Sequence, residues 1–403
     1  MPTLENYSQF EGRYWDTAAI RNALDYQGVN APHTGKPFTE AMLLGISGGV
    51  TFGYFTFHYK GYDPQVNLLT RNTFGPMETI FDRLGIARDA RQTASADKGR
   101  QNLINALEEG YAPVASPDMW LLPYNALPYD EGMWGGMPLV IFGYEPDAGE
   151  AHISDRSRVA LTVSTEDLDK ARGRIKKEKH RLLLLGHPDE AKLADAVRQG
   201  LEDCVRLMTE KPPKGSAKNF GLRALAHWGD MLEKTSKGSW AREYPTGRPL
   251  LAVLISSYTF LGPAFGKTMA AERDVYADFL DEAATVLGSP ALENVALRYR
   301  NAGDAWRGLL DALLPETTPF LSDVRDNIDR KTRLFIEGGA AQLDEIVACN
   351  ERIEAAKTAS ESDFPMTDAE IADLRDEIRC QLANAREAEE EAVGSLKAAI
   401  PLA

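Results

Sequence analysis

The sequence predicts a mixed α/β first half followed by an all-helical second half, and three observations carry that expectation. Glycine and aromatic residues concentrate in two stretches, 45–61 and 120–144. Apolar runs of strand length and strand composition fall in the first half. The second half instead repeats apolar residues at the 3.6-residue helical period. We place the division at 178/179, where the basic stretch RGRIKKEKHR (172–181) runs toward a Gly-His-Pro-Asp turn. An α/β domain over 1–178 and a helical domain over 179–403 are expected.

Residues 17–26 read as a helix with Ala18, Ile20 and Leu24 on one buried side, stopped by Gly28. A short helix at 40–44 ends in Gly45. The run 50–59 holds Phe52, Tyr54, Phe55, Phe57 and Tyr59 and reads as a strand. An amphipathic helix follows at 98–109, with Leu103 and Leu107 one turn apart. Strands are expected at 112–116, 139–144 and 151–154; the middle one, LVIFGY, is apolar enough to be buried on both faces. Ser164-Thr165-Glu166-Asp167 has the form of a capped helix start. Beyond it, composition and period give helices at 193–208, 222–235, 250–260, 271–287 and 291–314. Thr367 and Glu370 form a capping box ahead of an apolar stripe, Ile371, Leu374, Ile378, Leu382, Val393 and Leu396. Glu387, Glu389, Glu390 and Glu391 belong to the opposite face, expected to be solvated. The stripe also admits a coiled-coil-like homodimer contact.

Composition excludes several classes. With 403 residues, 43% hydrophobic and 26% charged, the chain has ordinary globular proportions. A net charge of -15 argues against a nucleic-acid binder, which needs positive surface to displace counterions. Residues 321–403 hold 19 acidic and 10 basic residues, so -9 of that charge lies in the tail. Cys204, Cys349 and Cys380 are too few for a disulfide framework or a zinc cluster. They are expected as buried structural thiols. The first residues lack the basic and apolar regions of a secretory signal, and the apolar runs are far short of the ~20 residues of a membrane span. A cytoplasmic location is expected.

Three motifs fail on inspection. Residues 262–268 (GPAFGKT) place three residues between glycines where a phosphate loop needs four, and they follow a helix. Gly45-Ile46-Ser47-Gly48-Gly49 spells G-x-S-x-G, but a nucleophile elbow runs from strand to helix and this segment runs from helix to strand. The same glycines do not fit a dinucleotide fingerprint. None of the six histidines has metal-ligand spacing, so neither a metal nor a cofactor is indicated.

As a linear pattern, the first half resembles the N-terminal domain of the butirosin biosynthesis protein H (BtrH) family. The residues that carry the resemblance are TAAIRNAL (17–24), TEAMLLGISGG (39–49) with Phe52-Gly53-Tyr54, LPY (122–124), Gly135-Gly136, FGYE (142–145), ISDR (153–156) and LDKAR (168–172). YADFLDEAA (276–284) with Trp306 resembles the helical domain that follows in that family. The resemblance implies a papain-like fold and transfer of an acyl group from a carrier-protein thioester to an amine. It also implies a His-Cys pair at the start of the first helix and a histidine opening the buried strand. This chain has Tyr14-Trp15 at the first place and Met137 at the second, and keeps only the third position, as Asp155. An indole cannot act as a thiol nucleophile and a thioether cannot take a proton at neutral pH, which excludes the cysteine route.

Two functional readings follow. In one, Trp15, Met137, Trp134, Tyr54 and Tyr129 line an aromatic pocket for an acyl or peptidyl intermediate. Asp16, Asp155, Tyr14 and His58 are then its candidate acid–base groups, and Gln9 stands where an oxyanion donor is expected. Each also has a structural role open to it: Asp16 as a helix cap, Asp155 as an acceptor beside Arg156, His58 as a packed residue. In the other reading the chain is an inactive relative that binds or scaffolds. Either way, residues 172–181 offer positive charge to an acidic carrier protein or a phosphopantetheine phosphate, or form only a solvated helix face or linker.

Overall fold

A computed structural model describes residues 2–12, 14–262 and 269–400. Of the phosphate-loop-like run, only Gly262 is therefore described. Helix α1 (Trp15–Tyr26) buries Ala18, Ile20 and Leu24 as expected, and Gly28 follows it at φ +73°. Helix α2 (Glu40–Ile46) passes through Gly48 and Gly49, both in the left-handed region, into the hairpin β1 (Val50–Phe57) and β2 (Gln65–Arg71). The order helix–turn–strand holds, and Ser47 is buried with its hydroxyl on the Leu44 carbonyl at 2.7 Å. Then come α3 (Pro76–Leu84), β3 (Arg88–Arg91), α4 (Ala96–Glu108), β4 (Val114–Ala115), β5 (Leu139–Glu145), β6 (Glu150–Ser154), β7 (Leu161–Ser164), α5 (Thr165–Arg174) and β8 (Leu182–Leu185). The remaining elements are helical. They are α6 (Leu193–Thr209), α7 (Gly221–Glu233), α8 (Trp240–Glu243), α9 (Gly247–Leu261), α10 (Arg273–Leu287), α11 (Ala291–Leu313), α12 (Pro319–Gly338), α13 (Leu343–Ala359) and α14 (Asp368–Ala399).

The chain forms two compact units, neither of them continuous in sequence. One comprises Met1–Leu43, Met77–Leu193 and Arg333–Val347; the other Leu44–Pro76, Ala194–Thr332 and Ala348–Ala403. A single division at 178/179 is not where these units part.

The first unit is α/β. Its sheet runs β3-β8-β4-β5-β6-β7, and every pairing is antiparallel. The apolar run of β5 is buried, and α1 packs on it and on β4. Strand β8 corrects the sequence reading. Leu182–Leu185 lies beyond the expected boundary, yet it pairs with β3 on one side and β4 on the other. Strand pairing is a tertiary choice: the run LLLL has no polar alternation to mark it, and only its neighbours make it a central strand.

The second unit is helical except for the hairpin, whose residues the expected division assigns to the α/β domain. Phe52 and Tyr54 of β1 and Val66 and Leu68 of β2 join the helices' core, with Trp228, Trp240 and Trp306. Helix α14 packs along α11, and the capping box at Thr367 and Glu370 is formed. The stripe from Ile371 to Leu396 is buried, while Glu387, Glu390 and Glu391 are exposed. Glu389 is the exception: it is fully buried, with Arg273 Nε 2.5 Å and Trp306 Nε1 2.6 Å from its Oε1. Cys204 and Cys349 are buried, but Cys380 is exposed. Among the described residues no helix is long and apolar enough to cross a membrane.

Candidate functional site

Helix α1 begins at Trp15, two residues before the expected start, with Tyr14 at the N-cap. Neither Tyr14 nor Asp16 supplies a capping side chain; Asp16 sits within the first turn instead, which corrects its expected role as cap. Glu40 secures this end of the helix. Its Oε1 accepts from the Tyr14 N–H at 3.1 Å and from the Thr17 hydroxyl at 2.7 Å. Trp15 is thereby fixed at the helix N-terminus, with 6% of its surface exposed.

Strand β6 delivers Asp155 and Arg156 just past its end. The Arg156 guanidinium carbon lies 4.4 Å from the Trp15 ring centroid and 4.8 Å from that of Phe335. Phe335 in turn stacks on Tyr124, with centroids 5.9 Å apart. Asp155 is 5% exposed and accepts four hydrogen bonds. Three come from Arg156: its backbone N–H at 2.7 Å, Nε at 3.0 Å and Nη2 at 3.3 Å. The fourth comes from the Tyr124 hydroxyl at 2.9 Å. Burial pushes the Tyr124 phenol well above its usual range, and the Asp155 charge adds to the effect, so Tyr124 remains a donor. Asn125 Oδ1 takes the remaining Nη2 contact at 2.8 Å. A carboxylate offers about four acceptor positions, so this one has no lone pair left for proton abstraction.

The other sequence candidates are dispersed. Gln9 turns its side-chain carbonyl onto the Ser8 N–H at 2.9 Å, and its backbone carbonyl accepts from Ser154 Oγ at 2.9 Å. Met137 is half-buried and donates its N–H to the Pro117 carbonyl at 3.2 Å. Tyr129 and Trp134 are surface residues, 66% and 62% exposed. Their loop is pinned by Arg174, which donates to the carbonyls of Asp130, Glu131 and Met133 and pairs with buried Asp118. Tyr54 and His58 belong to the second unit. Tyr54 stacks on Trp228 and accepts from Trp240 Nε1 at 3.1 Å; the His58 ring meets the Tyr244 hydroxyl at 2.8 Å. Sequence reasoning gave no role to Tyr124, Asn125, Arg156 or Phe335. Arg156 was legible only as a neighbour of Asp155, and nothing in the local sequence marks Phe335.

Fold and site together define a class: an α/β domain whose first helix rests on an antiparallel sheet and meets an aspartate–arginine pair from the strand that follows its buried one. Residues 15–156 match the family model described as Butirosin biosynthesis protein H, N-terminal. The match begins at Trp15 and ends at Arg156, the two residues in contact. No curated protein matches the chain.

Proposed function

We propose that this protein is a noncatalytic member of the family, serving a biosynthetic pathway as a binding or scaffold component. Its papain-like domain would have exchanged the acyl-transfer site for a structural joint. The carrying observation is the Arg156 guanidinium, seated on Trp15 and Phe335 and tied to Asp155 and Asn125. Nucleophilic catalysis needs an accessible nucleophile beside a base with a free lone pair. Trp15 is covered and Asp155 is saturated. The alternative, an aromatic pocket acting on an acyl or peptidyl intermediate, has less support, because Trp134 and Tyr129 lie on the surface.

The test is Trp15→Ala, followed by chemical denaturation alongside a turnover assay with an acyl-carrier thioester and an amine. We expect no turnover by the unaltered protein and a stability loss of about 3–5 kcal/mol, the cost of emptying a packed aromatic site. Turnover by the unaltered protein that disappears in a variant of unchanged stability would overturn the reading.

A further inference from the structure

Among the described residues of the first unit, Tyr129 and Trp134 are the two most exposed aromatic side chains, and they share one loop. That loop is fastened to a buried ion pair. Asp118, with no exposed surface, pairs with Arg174 Nε at 3.0 Å, and its Oδ1 accepts from the Gly135 N–H at 3.0 Å. Arg174 Nη2 reaches the carbonyls of Asp130, Glu131 and Met133 at 2.9, 3.1 and 2.9 Å. The guanidinium carbon of Arg174 also lies 5.6 Å from the Tyr129 ring centroid. The Met119 N–H donates to the Gly135 carbonyl at 2.9 Å and closes the loop from the other side.

Gly135, directly after Trp134, is hemmed in by apolar side chains. A Cβ there would come within 3.2 Å of the Trp120 ring and 3.7 Å of both Met119 Sδ and Met137 Cε. Those three side chains are half-buried, so an apolar margin adjoins the exposed rings. Holding two large rings rigidly in water stabilises nothing within the chain. It does complete in advance the ordering that an interface must otherwise bring about, and rigid aromatics with adaptable methionines beside them suit a desolvated interface centre.

The margin carries both signs of charge. Asp130 and Glu131 belong to the loop itself. Lys176 and Lys177 are exposed and directly follow Ile175, whose Cδ1 lies 2.9 Å from where a Cβ on Gly136 would stand. A uniformly acidic partner would meet Glu131, and a uniformly basic one would meet the lysines. A second copy related by a twofold axis can bring each to its opposite, because in such an interface residue i meets j wherever j meets i. The stripe from Ile371 to Leu396 offers no competing seam, since it is buried within the chain. We propose that the loop 129–136 is a homodimer interface, with Trp134 and Tyr129 of two copies at its apolar centre and Glu131 of each facing Lys176 and Lys177 of the other. This interface does not depend on the noncatalytic reading given above.

Sedimentation equilibrium of the full chain at concentrations up to about 100 μM tests it. A monomer–dimer equilibrium is expected, which Trp134→Ser and Tyr129→Ser should each weaken about tenfold or more. Both side chains are exposed, so these variants should keep the fold, as circular dichroism will show. Tyr59→Ser should leave the dimer intact, because Tyr59 is no less exposed than Trp134 but belongs to the second unit. The charges give a sharper comparison. Glu131→Lys and the double variant Lys176→Glu/Lys177→Glu should each associate poorly alone, and an equimolar mixture of the two should restore a dimer. A chain that stays monomeric, a dimer that survives Trp134→Ser or dissociates with Tyr59→Ser, or a mixture no tighter than its components would each overturn the proposal.

Discussion

Arg156 lays its guanidinium carbon 4.4 Å from the centroid of the Trp15 ring, so the residue at the helix start and the residue past the strand end form one contact. The contact combines cation–π attraction with burial of an indole that would otherwise leave a gap. It also depends on Asp155, which orients the guanidinium through two side-chain bonds.

Arg156→Ala should therefore cost more than a surface substitution. It strips the buried Asp155 carboxylate of its cationic partner and uncovers two aromatic rings, with an expected loss of about 3 kcal/mol in urea denaturation. Arg156→Lys should recover only part of this, because an ammonium cannot reach Asp155 and Asn125 together as the planar fork does. Equal stability of the two variants would argue against the joint.

In the second unit, Arg273 and Glu389 form an ion pair with both side chains fully buried. Arg273 spends its remaining donors on the carbonyls of Thr70, Ala271 and Thr51. Glu389→Gln leaves that cation uncompensated and should lower stability by about 3–5 kcal/mol. Glu390→Gln, one residue on but exposed, should stay within about 0.5 kcal/mol. Denaturation midpoints of the pair, compared side by side, decide the matter.

The pKa of His180 is lowered from 6.5, first by burial and then by Arg172, with Lys179 and Arg100 acting in the same direction and Asp169 against them. A histidine whose folded pKa lies below its unfolded one binds protons more readily when unfolded. Its contribution is intact above pH 6.5 and is lost as the pH falls through the folded value. Thermal melts between neutral and mildly acidic pH should show this loss, and His180→Gln should flatten the slope. A slope unchanged by that substitution would place the proton uptake elsewhere.

The Thr367–Glu370 capping box opens the long helix α14. Thr367→Ala removes the acceptor for the Glu370 N–H and should cost about 1 kcal/mol, readable as a lower melting temperature. Thr367→Ser should restore most of it.

Sequence periodicity and capping chemistry by themselves determined helices α6, α7, α9, α10 and α11, the buried strand β5, the capping box and the stripe from Ile371 to Leu396, but not α8, α12 or α13. These signals work because they are local: a helix repeats its buried face every few residues, and a cap lies within one turn of what it caps. The resemblance also implied a thiol and an imidazole where Trp15 and Met137 stand, and chemistry that needs a thiol cannot use an indole. The tertiary structure alone decided the rest. LLLL at 182–185 became a strand because β3 and β4 flank it, and the hairpin at 50–71 joined the helical core because its aromatic side chains pack with Trp228 and Trp306. Glu389 left the solvated face because Arg273 stands opposite. Phe335, far along an acidic helical tail, reached Arg156 and Tyr124 by a fold that brings distant segments together. No local pattern encodes a contact whose free energy depends on a partner 179 positions away.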